Sequence, residues 1–195
     1  RNGLIGEDYS SKFSPWLANG SVSVKYIFKS LKEYEKEVEK NDSTYWLYFE
    51  LIWRDFFKYV SMQHKDKFFN KDGIYGEDKE WSDDKDVLLN WINGKTNEPF
   101  VNANMIELSK TGFMSNRGRQ NVSNYLTKEL KIDWRIGAEY FESMLIDYDV
   151  HSNYGNWLYN AGIGNDSMPF RKFNPKLQSE RYDPDKSYEK IWLNG

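Results

Sequence analysis

Thr111-Gly112-Phe113-Met114-Ser115-Asn116-Arg117-Gly118-Arg119, followed by Asp133-Trp134-Arg135 and by Asp147-Tyr148-Asp149-Val150-His151-Ser152-Asn153-Tyr154-Gly155-Asn156-Trp157, form the segment from which the architecture of this chain can be read. Gly112 is a helix terminator and closes a run that opens at Pro99. Ser115 is placed to cap a helix over Asn116–Leu130, and Asp133 to cap another from Trp134 to about Ile146. Asn116, Arg117 and Arg119 therefore sit at a helix start, where two guanidiniums and an amide add to exposed backbone N–H groups. Such a corner faces an anion.

Working outward, the same periodicity recurs. Val24, Ile27, Phe28, Leu31, Tyr34 and Val38 follow helical spacing. Asp42 or Ser43 can cap a second helix running from Thr44 to about His64. That helix is apolar on most of its circumference, which predicts a central position, interrupted by Glu50, Arg54 and Asp55. Residues 65–83 read as a polar loop, Asp84–Asn93 as a short helix stopped by Gly94, and 1–20 as loop and turn. Beyond Asp149 the chain turns glycine-rich and then polar, with Pro169, Pro175 and Pro184. No stretch alternates at period two. The fold class is all-α with long loops and no internal repeat.

Composition bounds what such a domain can do. The chain has 195 residues, enough for one good core. It has no cysteine, so disulfides, thiolate metal sites and Cys nucleophiles are excluded. Two histidines, His64 and His151, are too few and too far apart for a histidine-rich metal site, and no metal is expected. Asp147 and Asp149 could be read as a metal pair or an acid/base dyad, but no further carboxylate or histidine joins them. The formal net charge of −3 argues against a general duplex binder. Neither a signal peptide nor an apolar run of membrane-spanning length is present, so a cytoplasmic protein is expected.

Two further motifs combine chemistry with spacing. Glu50-Leu51-Ile52-Trp53-Arg54-Asp55 places Glu50, Trp53 and Arg54 on one side of a helix, where Glu50 and Arg54 could simply pair with each other. Ser10-Ser11-Lys12-Phe13-Ser14 is a hydroxyl-rich turn running into a helix. It reads either as an ordinary capped turn or as a cradle for a pyrophosphate.

Taken together these strings resemble the flavin-binding half of the photolyase/cryptochrome family, and within it the cryptochrome-DASH branch. Glu50 to Asp55 is similar to the family's Glu-Leu-x-Trp-Arg-[Glu/Asp], and the serine turn to its phosphate-cradling Thr-Ser-x-Leu-Ser. Asn153 stands four residues beyond Asp149, and Tyr159 two beyond Trp157, as in the DASH branch. The departures are Leu47 in place of an aromatic, Asn102 in place of Asp, Ile106 in place of Arg, and Asn97-Glu98 in place of a common Gly. The resemblance runs from Asn2 to about Trp192 and implies one photolyase-like FAD-binding domain over residues 1–195. It covers half of a normal family member, the N-terminal α/β antenna domain lying outside the chain.

What the resemblance implies is specific. FAD would be held non-covalently in a U-shape by Ser10, Ser11, Lys12, Phe13, Ser14, Glu50, Arg54, Asn116, Arg119, Asp147, Tyr148, Asp149 and Asn153. Arg119 would pair with Asp147, and Asn153 would face the flavin. Trp157, Trp134 and Trp81 would be the proximal, middle and surface stations of an electron relay, with Trp91 only structural. Glu50, Trp53, Asn116, Arg117 and Tyr159 would meet damaged DNA, single-stranded DNA being the expected form. The implied activity is light-driven repair of cyclobutane pyrimidine dimers. The alternatives are a blue-light receptor without catalysis and a plain FAD-bearing electron carrier.

Overall fold

The computed structural model describes residues 2–194. Among the described residues ten α-helices follow in chain order: α1 (Ser14–Ala18), α2 (Val24–Glu37), α3 (Asp42–His64), α4 (Lys85–Ile92), α5 (Pro99–Thr111), α6 (Asn116–Asn124), α7 (Trp134–Met144), α8 (Val150–Ala161), α9 (Pro175–Tyr182) and α10 (Ser187–Leu193). A 3-10 turn (Lys65–Phe69) extends α3, and a π-helical turn (Tyr125–Glu129) extends α6. Among the described residues the only strand-like pairing is a parallel bridge between Ser82 and Ile132.

Most helix starts are set by side chains that satisfy orphan backbone N–H groups. Asp84 accepts from Asp86 and Val87, Ser115 from Gly118, Asp133 from Arg135, and Asn174 from Lys176 and Leu177. The cap of α3 is Asn41 rather than Asp42 or Ser43. Its side chain reaches the amides of Ser43 and Thr44 while the Thr44 hydroxyl bonds back to the Asn41 amide, a reciprocal box.

The core differs from the expectation in one respect. Trp91, Val101, Met105, Leu108, Met114, Val122, Leu126 and Trp134 are fully buried, so α5 to α7 form its centre, with α8 packed on them. The apolar α3 lies at the periphery and buries only Thr44, Leu51, Phe57, Val60 and Ser61. Its other aromatics shield one another along the helix. Phe49 meets Trp46 at 5.3 Å and Trp53 at 6.2 Å, and Trp53 meets Phe56 at 5.2 Å and Phe57 at 5.4 Å.

Three segments read as irregular carry structure. The polar loop after α3 buries Phe68 and Ile74. The glycine-rich stretch after Asp149 is α8, and its Gly155 marks close approach: a β-carbon there would lie 2.3 Å from the Phe57 ring. The polar tail holds α9 and α10. Tyr188 of α10 is fully buried, with its hydroxyl on Glu107 at 2.5 Å and Asn104 at 3.1 Å. Among the described residues, no helix is long and apolar enough to cross a membrane.

Candidate cofactor and electron-transfer site

Helix α8 organises the site. Its N-cap Asp149 accepts from the Ser152 amide at 2.8 Å, and the second Asp149 oxygen faces the Arg54 guanidinium of α3 at 3.6 Å. Arg54 thus reaches across from α3 to α8. Two residues before the cap, Asp147 is buried, and one terminal nitrogen of Arg119 reaches both its oxygens at 3.0 and 2.8 Å. Arg119 is anchored a second time by its Nε on the Met114 carbonyl at 2.8 Å. Asn153 is buried one turn further on, and its amide donates to the Ala138 carbonyl at 2.9 Å. Two guanidinium–carboxylate pairs and an amide are thus gathered at the start of α8, supplied by α3, α6, α8 and the turn that leads into α8. Among the described residues no metal-binding cluster forms there.

The serine turn lies on the same side. Lys12 adopts a left-handed backbone (φ 56°), and its ammonium sits 3.7 Å from the Tyr9 ring centre and 4.4 Å from that of Phe113. The Arg119 guanidinium lies 5.6 Å from the same Phe113 ring. Burial lowers the Lys12 ammonium below its ordinary range, opposed by Glu107 and Glu7. Burial also pushes the Tyr9 phenol up to about 12. Helix α1 is only five residues long, with Phe13 at its N-cap in a helical conformation and no side-chain cap. The capped-turn reading of the serines does not hold, since none of their hydroxyls closes the helix.

The indoles of Trp91, Trp134 and Trp157 lie in the main core, with Trp81 packed against it. Trp157 is 2% exposed and meets Phe141 at 5.1 Å and Trp91 at 6.4 Å. Gly137 of α7 leaves the room it needs, because a β-carbon there would stand 2.3 Å from the Trp157 ring. Trp134, three residues earlier, shares that face of α7. Trp134 is fully buried, and its N–H donates to the Lys71 carbonyl at 3.1 Å. The Ser82–Ile132 bridge, with Ser82 N on the Lys131 carbonyl at 2.7 Å, brings Trp81 beside the entry to α7. The indole N–H groups of Trp157 and Trp81 are buried without a hydrogen-bond partner in the chain. An oxidised indole in those positions finds no base for its proton.

The residues expected at DNA divide into two groups. Trp53 and Tyr159 meet edge to face at 6.0 Å across α3 and α8, and Glu50 is exposed on the same helix as Trp53. Asn116 is exposed at the start of α6. Arg117 is committed to the protein: it donates to Gln120 and Asn2, both at 2.9 Å, and stacks 4.4 Å from the Tyr182 ring. Arg117 and Tyr159 border a cavity of about 160 Å³ completed by Gln120, Asn124, Asn160, Asp166, Arg171 and Phe173. The last three come from the segment read as a polar tail. Asn124 fixes that segment by donating to the Arg171 carbonyl at 3.0 Å and accepting from the Phe173 amide at 2.8 Å. Nothing in the sequence signals this, because Asn124 stands among polar neighbours at helical spacing, Gln120, Asn121, Thr127 and Lys128. Tyr148 borders Glu142, and burial is the first of the causes that raise its phenol.

Known proteins resemble the chain throughout. The family model for the FAD binding domain of DNA photolyase matches residues 46–195. Cryptochrome DASH of Synechocystis sp. is 56% identical over 193 residues, 99% of this chain and 40% of that protein. Cryptochrome DASH of Xenopus laevis is 55% identical over 193 residues, 99% of this chain and 37% of its own length. The crystal structure of the Synechocystis cryptochrome superposes with a TM-score of 0.97 at 56% identity, covering 100% of this chain and 40% of that one. A class III photolyase of Agrobacterium tumefaciens gives 0.89 at 33% identity, covering 100% of this chain and 40% of that one. The chain thus spans about two fifths of the length of the relatives it matches. By this match and by the helical architecture that carries it, the chain belongs to the photolyase/cryptochrome family, as an FAD-binding domain with cryptochrome DASH proteins among its relatives.

Proposed function

We propose that this domain places FAD between a tryptophan relay and an aromatic DNA pocket, and that it serves light-driven repair of cyclobutane pyrimidine dimers in single-stranded DNA. The observation that carries the reading is the joint use of α8: its N-terminal end holds Asp149 against Arg54, its middle holds Asn153 and Trp157, and its far end holds Tyr159 against Trp53. The residues fit a flavin in chemistry. An isoalloxazine edge alternates hydrogen-bond acceptors and donors, and Arg119, Asp147, Arg54, Asp149 and Asn153 offer complementary groups. A guanidinium fixed by a buried carboxylate can also face the negative charge of reduced flavin without moving. Ser10, Ser11, Ser14 and Lys12 would take the phosphates.

When bound, reduced FAD supplies an electron to the dimer under blue light and recovers it after the ring opens. The protein's part is positional. Trp53 offers a flat face for a splayed base, Glu50 an acceptor for base N–H groups one turn away, and Asn116 an amide at the rim. Tyr159 shares its cavity with Asp166 and Arg171, and burial, then the Asp166 charge, raises its phenol. The dimer must leave the stack to reach such a pocket, which costs least in a single strand. The net charge of −3 gives little hold on duplex phosphate.

The test is binding and blue-light repair of oligonucleotides with and without a dimer. Glu50→Ala and Trp53→Ala are expected to abolish repair and to weaken lesion binding, by about 1–3 kcal/mol for the stacking residue, while photoreduction persists. If the wild type neither prefers the lesion nor repairs it, the repair reading fails and a photoreceptor takes its place.

A further inference from the structure

Beside the relay lies a phenol with its own base. Tyr154 of α8 packs edge to face on Trp134 at 6.0 Å, and its other flank lies 4.9 Å from Phe69. Its hydroxyl donates to the Glu142 carboxylate of α7 at 3.2 Å. Tyr154 is 9% exposed, whereas Glu142 is exposed to solvent. The indoles differ in this respect. Trp157 and Trp81 have no partner on the N–H, and Trp134 donates to a peptide carbonyl, which is no proton acceptor at neutral pH.

We propose that Tyr154 is a proton-coupled electron donor to oxidised Trp134, with Glu142 as the proton acceptor. The proposal rests on the relay reading above. One electron leaves the Tyr154 ring and reduces Trp134, which was oxidised through Trp157 by the photoexcited flavin. The O–H bond of Tyr154 breaks in the same event, and its proton passes to the Glu142 carboxylate. Trp134 is restored to the neutral indole, Tyr154 becomes a neutral phenoxyl radical, and Glu142 becomes a neutral acid that returns its proton to water. An external thiol or other one-electron reductant refills the phenol. A phenol that sheds its proton as it is oxidised gives up an electron more readily than an indole that must keep its own. Both products are neutral, so back-transfer must recover the proton as well as the electron, and charge recombination is slowed.

Geometry selects Tyr154 among the tyrosines near the relay. Tyr140 meets Trp91 at 5.8 Å, but burial is the one resolved influence on its phenol, and no carboxylate faces it. Tyr148 shares Glu142 with Tyr154, but among the described residues the tyrosine ring that packs on Trp134 is that of Tyr154. Burial and the Glu142 charge hold the Tyr154 phenol up at about 12, so at neutral pH the proton is present until the electron leaves.

The test is flash photolysis of the FAD-loaded chain, following indole and phenoxyl radical absorption. In the wild type the indole radical is expected to decay into a phenoxyl radical. Tyr154→Phe keeps the ring packing; it should remove the phenoxyl signal and lengthen the indole radical's life. Glu142→Gln, at an exposed position, should slow phenoxyl formation by about tenfold or more, a modest share of what a positioned proton acceptor contributes. Tyr140→Phe, beside Trp91, should change neither. A merely structural role would alter FAD occupancy or thermal stability and leave the identity of the radicals unchanged. An indole radical with no phenoxyl successor, or an unaltered phenoxyl signal in Tyr154→Phe, overturns the donor and leaves the relay standing. The absence of any indole radical in the wild type overturns the relay and this donor with it.

Discussion

Arg119 and Asp147 stand 28 positions apart, yet one guanidinium nitrogen bonds both carboxylate oxygens while Nε is tied to Met114. Removing the cation strands a nearly buried anion. Arg119→Ala is expected to cost toward the low end of about 3–5 kcal/mol, because the guanidinium is itself a quarter exposed. It should also weaken FAD binding; denaturant unfolding and flavin titration read both effects. Lys128 behaves differently. Its ammonium donates to the Ala161 and Pro169 carbonyls, and burial, aided by the nearby Lys79 charge, lowers it from 10.5 to about 8. Between those values the unfolded chain holds a proton that the folded chain has released, so this residue adds stability as pH rises through the window. The stability gap between the wild type and Lys128→Met should shift in favour of the wild type from pH 8 to 10.5, and a flat gap would contradict the assignment. The Arg119 pair is legible because both motifs are distinctive. The role of Lys128, which ties α8 to the Pro169 segment, is not, since an isolated lysine in a polar stretch carries no signal of burial.

Helix ends are legible wherever a short polar side chain precedes an apolar run, which is why Asp84, Ser115 and Asp133 mark α4, α6 and α7 correctly. Helix placement is less so. α3 looks central because it is apolar all round, but intrahelical aromatic contacts shield much of that surface without a partner element. α8 looks like a turn because Gly155 is a helix breaker in isolation, whereas here it admits Phe57. Gly137 plays the same part for Trp157. Gly137→Ala should destabilise by about 1–3 kcal/mol, the usual cost of overpacking, and should change the near-ultraviolet dichroism of the displaced indole. The relay itself is tested by isosteric change. Trp157→Phe should halt photoreduction while FAD stays bound, and Trp81→Phe should do so more mildly, because a hole at Trp134 can still reach Tyr154. Normal photoreduction in both variants would end the relay account.

For the whole molecule, the all-α class follows from periodicity, while the depth of the site depends on segments far apart in sequence. Asp166, Arg171 and Phe173 reach the cavity beside Tyr159 only because Asn124 and Lys128 hold the 163–173 segment down. No local pattern announces that, since the contacts close loops of tens of residues. Whether Arg119, Asp147, Asp149 and Asn153 hold FAD is read from a titration of the chain with FAD, followed by flavin fluorescence and by thermal unfolding. A ligand that binds only the folded state raises stability by about 2.7 kcal/mol at a hundred times its dissociation constant. Uptake at micromolar FAD is expected, with an unfolding temperature that climbs with ligand concentration, and a clear loss of both in Arg119→Ala. A well-folded chain that takes up no FAD, or an Arg119→Ala variant that binds it unchanged, would contradict that expectation.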